Sequence, residues 1–142
     1  SFPTRRSSDL ELNMGKILIV EDNELNMKLF HDLVTIKNHE VILSADGVGV
    51  VSMVIKQRPD LILMDVQLNG LSGLDIIKQL RENHETKHVP IIAISAFAMK
   101  RDAKIISESG CDLYIPKPVS INDFFDAIAR FVPSQINKKE IV

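Results

Sequence analysis

Lys16-Ile17-Leu18-Ile19-Val20-Glu21-Asp22-Asn23 is a strand-sized apolar run that breaks abruptly into two acids. A short, continuously aliphatic run suits a strand covered on both faces, as strands of parallel sheets are. The next segment changes period. Residues 24–37 place Leu25, Leu29, Leu33 and Ile36 at helical spacing, so a helix is expected there. The same alternation continues outward, with strands expected at 41–44, 61–65, 91–95 and 113–115. Helices are expected over 48–58, 72–83 and 99–108, and from 120 or 122 to about 131. Pro59, Gly110 and Pro133 supply stop signals. Ser72, with Asp75 three residues on, has the pattern of a capping box.

Five strands alternating with five helices imply an α/β fold, a doubly wound parallel sheet. Right-handed crossovers leave few topologies, and the flavodoxin-like order 2-1-3-4-5 is the one expected. In such sheets, ligands bind at the carboxyl ends of the strands.

The chain's 142 residues suit one domain large enough to bury a core without staples. It is 45% hydrophobic and 25% charged, with a formal charge of −2, which argues against nucleic acid and against a polybasic membrane surface as partners. The single cysteine, Cys111, excludes an intramolecular disulfide and a multi-cysteine zinc site, and fits a reducing cytosol. No apolar run approaches the ~18 residues of a membrane span, so no membrane insertion is expected.

Residues 1–13 lack periodicity and resemble the translation of a sequencing adapter. They are read as a non-native or disordered leader, since two arginines without an apolar segment make a poor targeting signal. The alternating pattern is a domain of residues 14–133, and the polar 134–142 reads as a flexible tail.

In the expected order, four strand ends bring chemistry to one place. Strand one ends in Glu21-Asp22, strand three in Asp65 and strand four in Ser95, while strand five is followed by Lys117-Pro118. Three clustered carboxylates repel one another unless a cation neutralises them. An oxygen-only cluster suits Mg²⁺, which takes one or two carboxylates, waters and phosphate oxygens. Lys117 and Ser95 add a positive charge and a hydroxyl donor. This set fits phosphoryl transfer to Asp65 as nucleophile, giving an aspartyl phosphate. Ala96 is small enough to leave the phosphoryl group an open approach.

The motifs Ile17-Leu18-Ile19-Val20-Glu21-Asp22-Asn23, Asp60-Leu61-Ile62-Leu63-Met64-Asp65, Ser95-Ala96 and Lys117-Pro118 resemble the receiver (CheY-like) domain of bacterial two-component response regulators. The resemblance covers residues 15–132. The segments ELNMK (24–28) and AFAMK (96–100), with Gly110-Cys111, bring it closer to the single-domain regulators of cell division and polar differentiation.

That resemblance implies a phosphorelay protein whose Asp65 takes a phosphoryl group from a sensor histidine kinase in a Mg²⁺-dependent reaction. It is not a metabolic enzyme, and its chemistry is its own phosphorylation and dephosphorylation. Asp22 and Asp65 would hold Mg²⁺ directly, Glu21 through a water, and the backbone carbonyl of Gln67 would complete the protein ligands. Lys117 would pair with a phosphoryl oxygen, and its peptide bond to Pro118 would be cis. Ser95 would swing to the phosphoryl group and Tyr114 would turn inward behind it, a switch driven by a new charge of about −1.5 to −2. Asn69-Gly70 departs from the family, where a proline often follows that loop. The implied setting is the cytoplasm, with recruitment to the cell poles by partners.

Other classes fit less well. A dinucleotide-binding enzyme needs G-x-G-x-x-G where this chain has Glu21-Asp22-Asn23-Glu24-Leu25-Asn26. A haloacid-dehalogenase-like phosphatase would carry its nucleophile after strand one. A phosphorylation-independent pseudo-receiver would be expected to lose Asp22, Asp65 or Lys117. Only about ten residues follow the last helix, so output through protein contacts is expected, either as an effector of kinases or as a shuttle to a histidine phosphotransfer protein. His31, His39, His84 and His88 share no metal-ligand spacing. Cys111 reads as a turn residue, and Met53, Met64 and Met99 as packing residues. On the first helix the Leu25/Leu29/Leu33/Ile36 stripe is the expected core face. Met27, Phe30 and Val34, on the opposite side, are the expected docking patch for a helical phosphodonor domain.

Overall fold

The computed structural model describes residues 15–68, 70–96 and 100–133. Strands β1 (Lys16–Val20), β2 (Glu40–Ser44), β3 (Leu61–Asp65), β4 (Ile91–Ser95) and β5 (Leu113–Pro116) form one parallel sheet in the order β2-β1-β3-β4-β5. Helices α1 (Glu24–Ile36), α2 (Val50–Gln57), α3 (Gly73–Glu82), α4 (Lys100–Ser107) and α5 (Ile121–Phe131) alternate with them. The architecture is the doubly wound sheet that the alternation predicts. The leader at 1–13, the tail at 134–142, Asn69 and Met99 lie outside the described residues.

The pleat sorts alternate residues of each strand to opposite layers. Ile17, Ile19, Leu61, Leu63, Ile92 and Ile94 pack against Phe30, Leu33 and Val34 of α1 and Phe124, Ala127 and Ile128 of α5. Leu18, Val20, Ile62, Met64, Ile91 and Ala93 pack against α2, α3 and Ile106 of α4. All of β3 and β4 is buried, which is why these strands read as unbroken apolar runs.

Helix boundaries follow local chemistry. Ser72 Oγ accepts the Leu74 N–H at 3.2 Å to start α3, and Ser120 Oγ, rather than Asn122, accepts the Asp123 N–H at 3.1 Å to start α5. Arg58, in the left-handed region at φ 50°, closes α2 just before Pro59.

Two expectations need correction. The core face of α1 is wrong: Leu25 is 80% exposed and Ile36 66%, whereas Phe30 is 2% exposed and Val34 is fully buried. Met27 is partly buried against the same layer. Phe30 and Val34 of the expected docking patch are therefore core, with Met27 at its edge, and of the expected core stripe only Leu33 is buried. The apolar residues of α1 span roughly 200° of helix surface at ~100° per residue, wider than the sheet can cover. Periodicity finds such a helix but does not say which part of the arc faces inward. The second correction is an unexpected antiparallel hairpin, Gln67–Leu68 with Leu71–Ser72, between β3 and α3.

Candidate functional site

The strand register brings the carboxyl ends of β1, β3, β4 and β5 level. Val20 pairs with Met64, Asp65 with Ile94, and Ser95 with Pro116. Glu21, Asp22, Asp65, Ser95 and Lys117 each lie at or just beyond one of these ends.

At the end of β1, the Glu21 N–H donates to the Ser44 carbonyl at 3.1 Å, which turns the chain while still tied to β2. Glu21 Oε2 accepts the Asn23 N–H at 3.1 Å, and Asn23 Oδ1 caps α1 by accepting the Asn26 N–H at 3.0 Å. Glu21 is buried by this turn and Asp22 is half-buried beside it. At the end of β3, Asp65 is buried and its Oδ1 accepts the Gln67 N–H at 3.0 Å. Ser95, at the end of β4, is fully buried, and its carbonyl accepts the Lys117 N–H at 2.7 Å. The Lys117–Pro118 bond is cis. Lys117 Nζ lies 3.3 Å from Glu21 Oε1 and 3.5 Å from Asp65 Oδ2.

One carboxylate oxygen from each of Glu21, Asp22 and Asp65 falls within a common span of 4.8 Å. Burial is the main influence raising the pKa of the Glu21 carboxyl above its usual range, with the Asp65 charge adding to it. The Asn23 N–H and Lys117 oppose the rise. Glu21 Oε1 makes no hydrogen bond, because Lys117 Nζ is near enough for charge attraction without hydrogen-bond geometry. A buried carboxylate oxygen with this freedom, among hard oxygen donors, fits a small divalent cation such as Mg²⁺. Chemically, the cluster can hold a cation and a phosphoryl group against one nucleophilic carboxylate.

Tyr114 is partly buried against the layer under α3 and α4. Its register partner is Ala93, two residues before Ser95, so it stands one pleat repeat behind that hydroxyl. Gln67 is exposed at the start of the short hairpin. Between α1 and the Lys117 loop, a cleft of about 380 Å³ is lined by Leu29, Ala96, Lys117, Pro118 and Val119 among others. It runs from the exposed leucine side of α1 to Lys117.

The other singled-out residues take structural places. His39 is buried and its Nδ1 accepts the Gly15 N–H at 3.0 Å. His31 sits 3.2 Å from Asp32 on the solvent side of α1, and His84 and His88 are exposed. Burial pushes the Cys111 thiol pKa up, and its Sγ–H donates to the Ile106 carbonyl at 3.2 Å, so it is not a reactive thiolate. Two contributors escaped sequence reasoning. Asn23 positions Glu21 while capping α1, and Gly73 packs its backbone on that of Asp65. The one available signal for Gly73 was a glycine placed directly after a capping serine, where a better helix former was expected.

Residues 17–129 match the response regulator receiver domain family. The polar-differentiation response regulator DivK of Brucella anthropi is 46% identical over 116 residues, covering 82% of this chain and 94% of that protein. The Brucella ovis protein of the same name is 45% identical over the same shares. Among solved structures, the receiver domain of a Pseudomonas aeruginosa sensor histidine kinase is similar, with a TM-score of 0.76 and 32% identity. The match covers 82% of this chain and 96% of that one, and that structure has a magnesium ion coordinated in its active site cleft. The Vibrio cholerae chemotaxis protein CheY4, at 22% identity and a TM-score of 0.76, shares the fold over 83% of this chain and 98% of its own.

Proposed function

The chain belongs to the response regulator receiver domain family and is DivK-like; from that membership we propose that Asp65 accepts a phosphoryl group from a histidine kinase in a Mg²⁺-dependent reaction. The observation that carries this reading is the Lys117 ammonium 3.5 Å from Asp65 Oδ2, inside a cluster whose three carboxylates share a 4.8 Å span.

An Asp65 carboxylate oxygen attacks the phosphorus of a phosphohistidine. The P–O bond forms as the P–N bond breaks, and the electron pair leaves on the imidazole nitrogen. Asp22 and Asp65 would hold Mg²⁺ directly, Glu21 through a water, and the Gln67 carbonyl would complete the set. The ion supplies charge neutralisation on the phosphoryl oxygens. Lys117, 3.5 Å from Asp65 Oδ2, would neutralise the same developing charge. Ser95 then donates its hydroxyl to the phosphoryl group, and Tyr114 moves toward the space released, altering the face around α4 and β5 that partners would read.

The phosphodonor approaches over the exposed Leu25 and Leu29 side of α1. The Leu29 cleft leads from there to Lys117, which supports this direction of entry.

Labelling with acetyl phosphate, with and without Mg²⁺ and beside Asp65→Asn, tests the assignment. Mg²⁺-dependent labelling that Asp65→Asn abolishes is expected. Labelling that persists without the ion or in the variant would reject it.

A further inference from the structure

Gly73 is the first residue of α3, a place where alanine would ordinarily be the better helix former. Its backbone is not in the left-handed region, so conformational freedom does not explain a glycine here. Space does. A Cβ on Gly73 would overlap the Asp65 carbonyl oxygen and lie 2.8 Å from Val66 Cα, and both of these are main chain. The Gly73 N–H also donates to the Val66 carbonyl at 2.9 Å.

The short hairpin returns the chain to Asp65 after eight residues and lays Gly73 against the peptide that follows the carboxylate. We propose that Gly73 is a positioning residue for Asp65: its bare backbone clamps the Asp65–Val66 peptide and so fixes where the carboxylate points. This rests on the phosphoacceptor role of Asp65 proposed above. The clamp works on a turn already held from the other side, where Asp65 Oδ1 accepts the Gln67 N–H. A methyl group at residue 73 has no flexible side chain to push aside. Relief requires about 1 Å of main-chain movement at Asp65 or in α3, because packed interiors hold no spare volume. A displacement of that size at a reacting group costs on the order of 10²-fold in rate.

The test compares acetyl phosphate labelling, per folded molecule and with Mg²⁺, for the natural chain, Gly73→Ala and Gly15→Ala. Gly15 is an internal control at the opposite end of the sheet, where a Cβ would strike the Val132 side chain. Gly73→Ala is expected to lower the maximal labelling rate about 10²-fold while the half-saturating acetyl phosphate concentration changes little. Gly15→Ala is expected to lower the melting temperature and leave the rate alone. A Gly73→Ala rate within threefold of the natural chain, or equal losses in both variants, would overturn the proposal. Failure of the natural chain to label would instead overturn the underlying role of Asp65. If Gly73→Ala does not fold, amide exchange in the natural chain decides. The Gly73 N–H should exchange at least tenfold more slowly than that of the exposed Gly49, and equal rates would overturn the clamp.

Discussion

Lys117 Nζ sits between two acids and lies closer to Glu21 (3.3 Å) than to Asp65 (3.5 Å). The lysine is therefore shared, and neither carboxylate is fully compensated by one ammonium. Buried charge without full compensation is destabilising. Glu21→Gln, which keeps the shape and removes the charge, should raise the stability of the metal-free protein at pH 7 by about 1 kcal/mol. Mg²⁺ should reverse the ranking, because the ion stabilises the form that binds it. Thermal melts of both proteins with EDTA and with Mg²⁺ check this, and an equal Mg²⁺ shift in the two would count against Glu21 as part of the ion's surroundings.

The two sides of α1 should respond oppositely to substitution. Phe30 stacks on Phe124 with ring centroids 5.2 Å apart and is buried, so Phe30→Ala should cost about 3–5 kcal/mol in urea unfolding. Leu29→Glu, at a half-exposed position beside the Lys117 cleft, should cost less than about 1 kcal/mol and leave acetyl phosphate labelling intact. It should slow transfer from a cognate phosphorylated kinase at least tenfold. Equal slowing with both phosphodonors would place the effect at the site rather than at docking.

That contrast marks where the sequence was legible. The strands were, because β1, β3 and β4 are buried on both faces and must be apolar between their polar ends. The acids and Lys117 were legible as a site because parallel register forces strand ends together, and that register is observed. The inward side of α1 was not. Its apolar arc is too wide for helical period alone to say which part of it meets the sheet. The hairpin at Gln67–Ser72 was equally hidden, since two-residue strands carry no period.

His39 predicts a pH dependence unconnected with the acidic site. Burial lowers its pKa below the ordinary 6.5, with the Lys37 charge acting the same way and Asp60 opposing. Its Nδ1 accepts the Gly15 N–H, a bond only the neutral ring can make. The unfolded chain binds the proton more readily, so stability is fully present above pH 6.5 and falls as pH drops through the depressed folded value. Urea unfolding at pH 7.5 and 5.5 should show a loss of about 1 kcal/mol that is smaller in His39→Gln. Identical losses would mean that carboxylates elsewhere carry the effect.

Arg81 supplies the last prediction, at the amino ends of β4 and β5, away from the site. Its Nε donates to the Gly110 carbonyl at 2.8 Å, one terminal nitrogen donates to the Lys87 and Val89 carbonyls at 3.0 and 2.7 Å, and the other meets Asp112 Oδ2 at 2.8 Å. The same Asp112 oxygen accepts the Ile91 N–H at 2.8 Å, and the Asp112 N–H returns to the Ile91 carbonyl at 2.8 Å. One planar guanidinium thus ties α3 to the starts of two strands, and lysine cannot reproduce the fork. Arg81→Lys and Arg81→Met should both lower unfolding stability, by about 2–3 kcal/mol for Met, where hydrogen bonds from a charged donor are lost. Because the carboxyl ends of the strands are held by their own register, labelling per folded molecule should stay within twofold of the natural chain. A large rate loss at full folding would mean that the two ends of the sheet are coupled through β4, and that the site depends on more than its local turns.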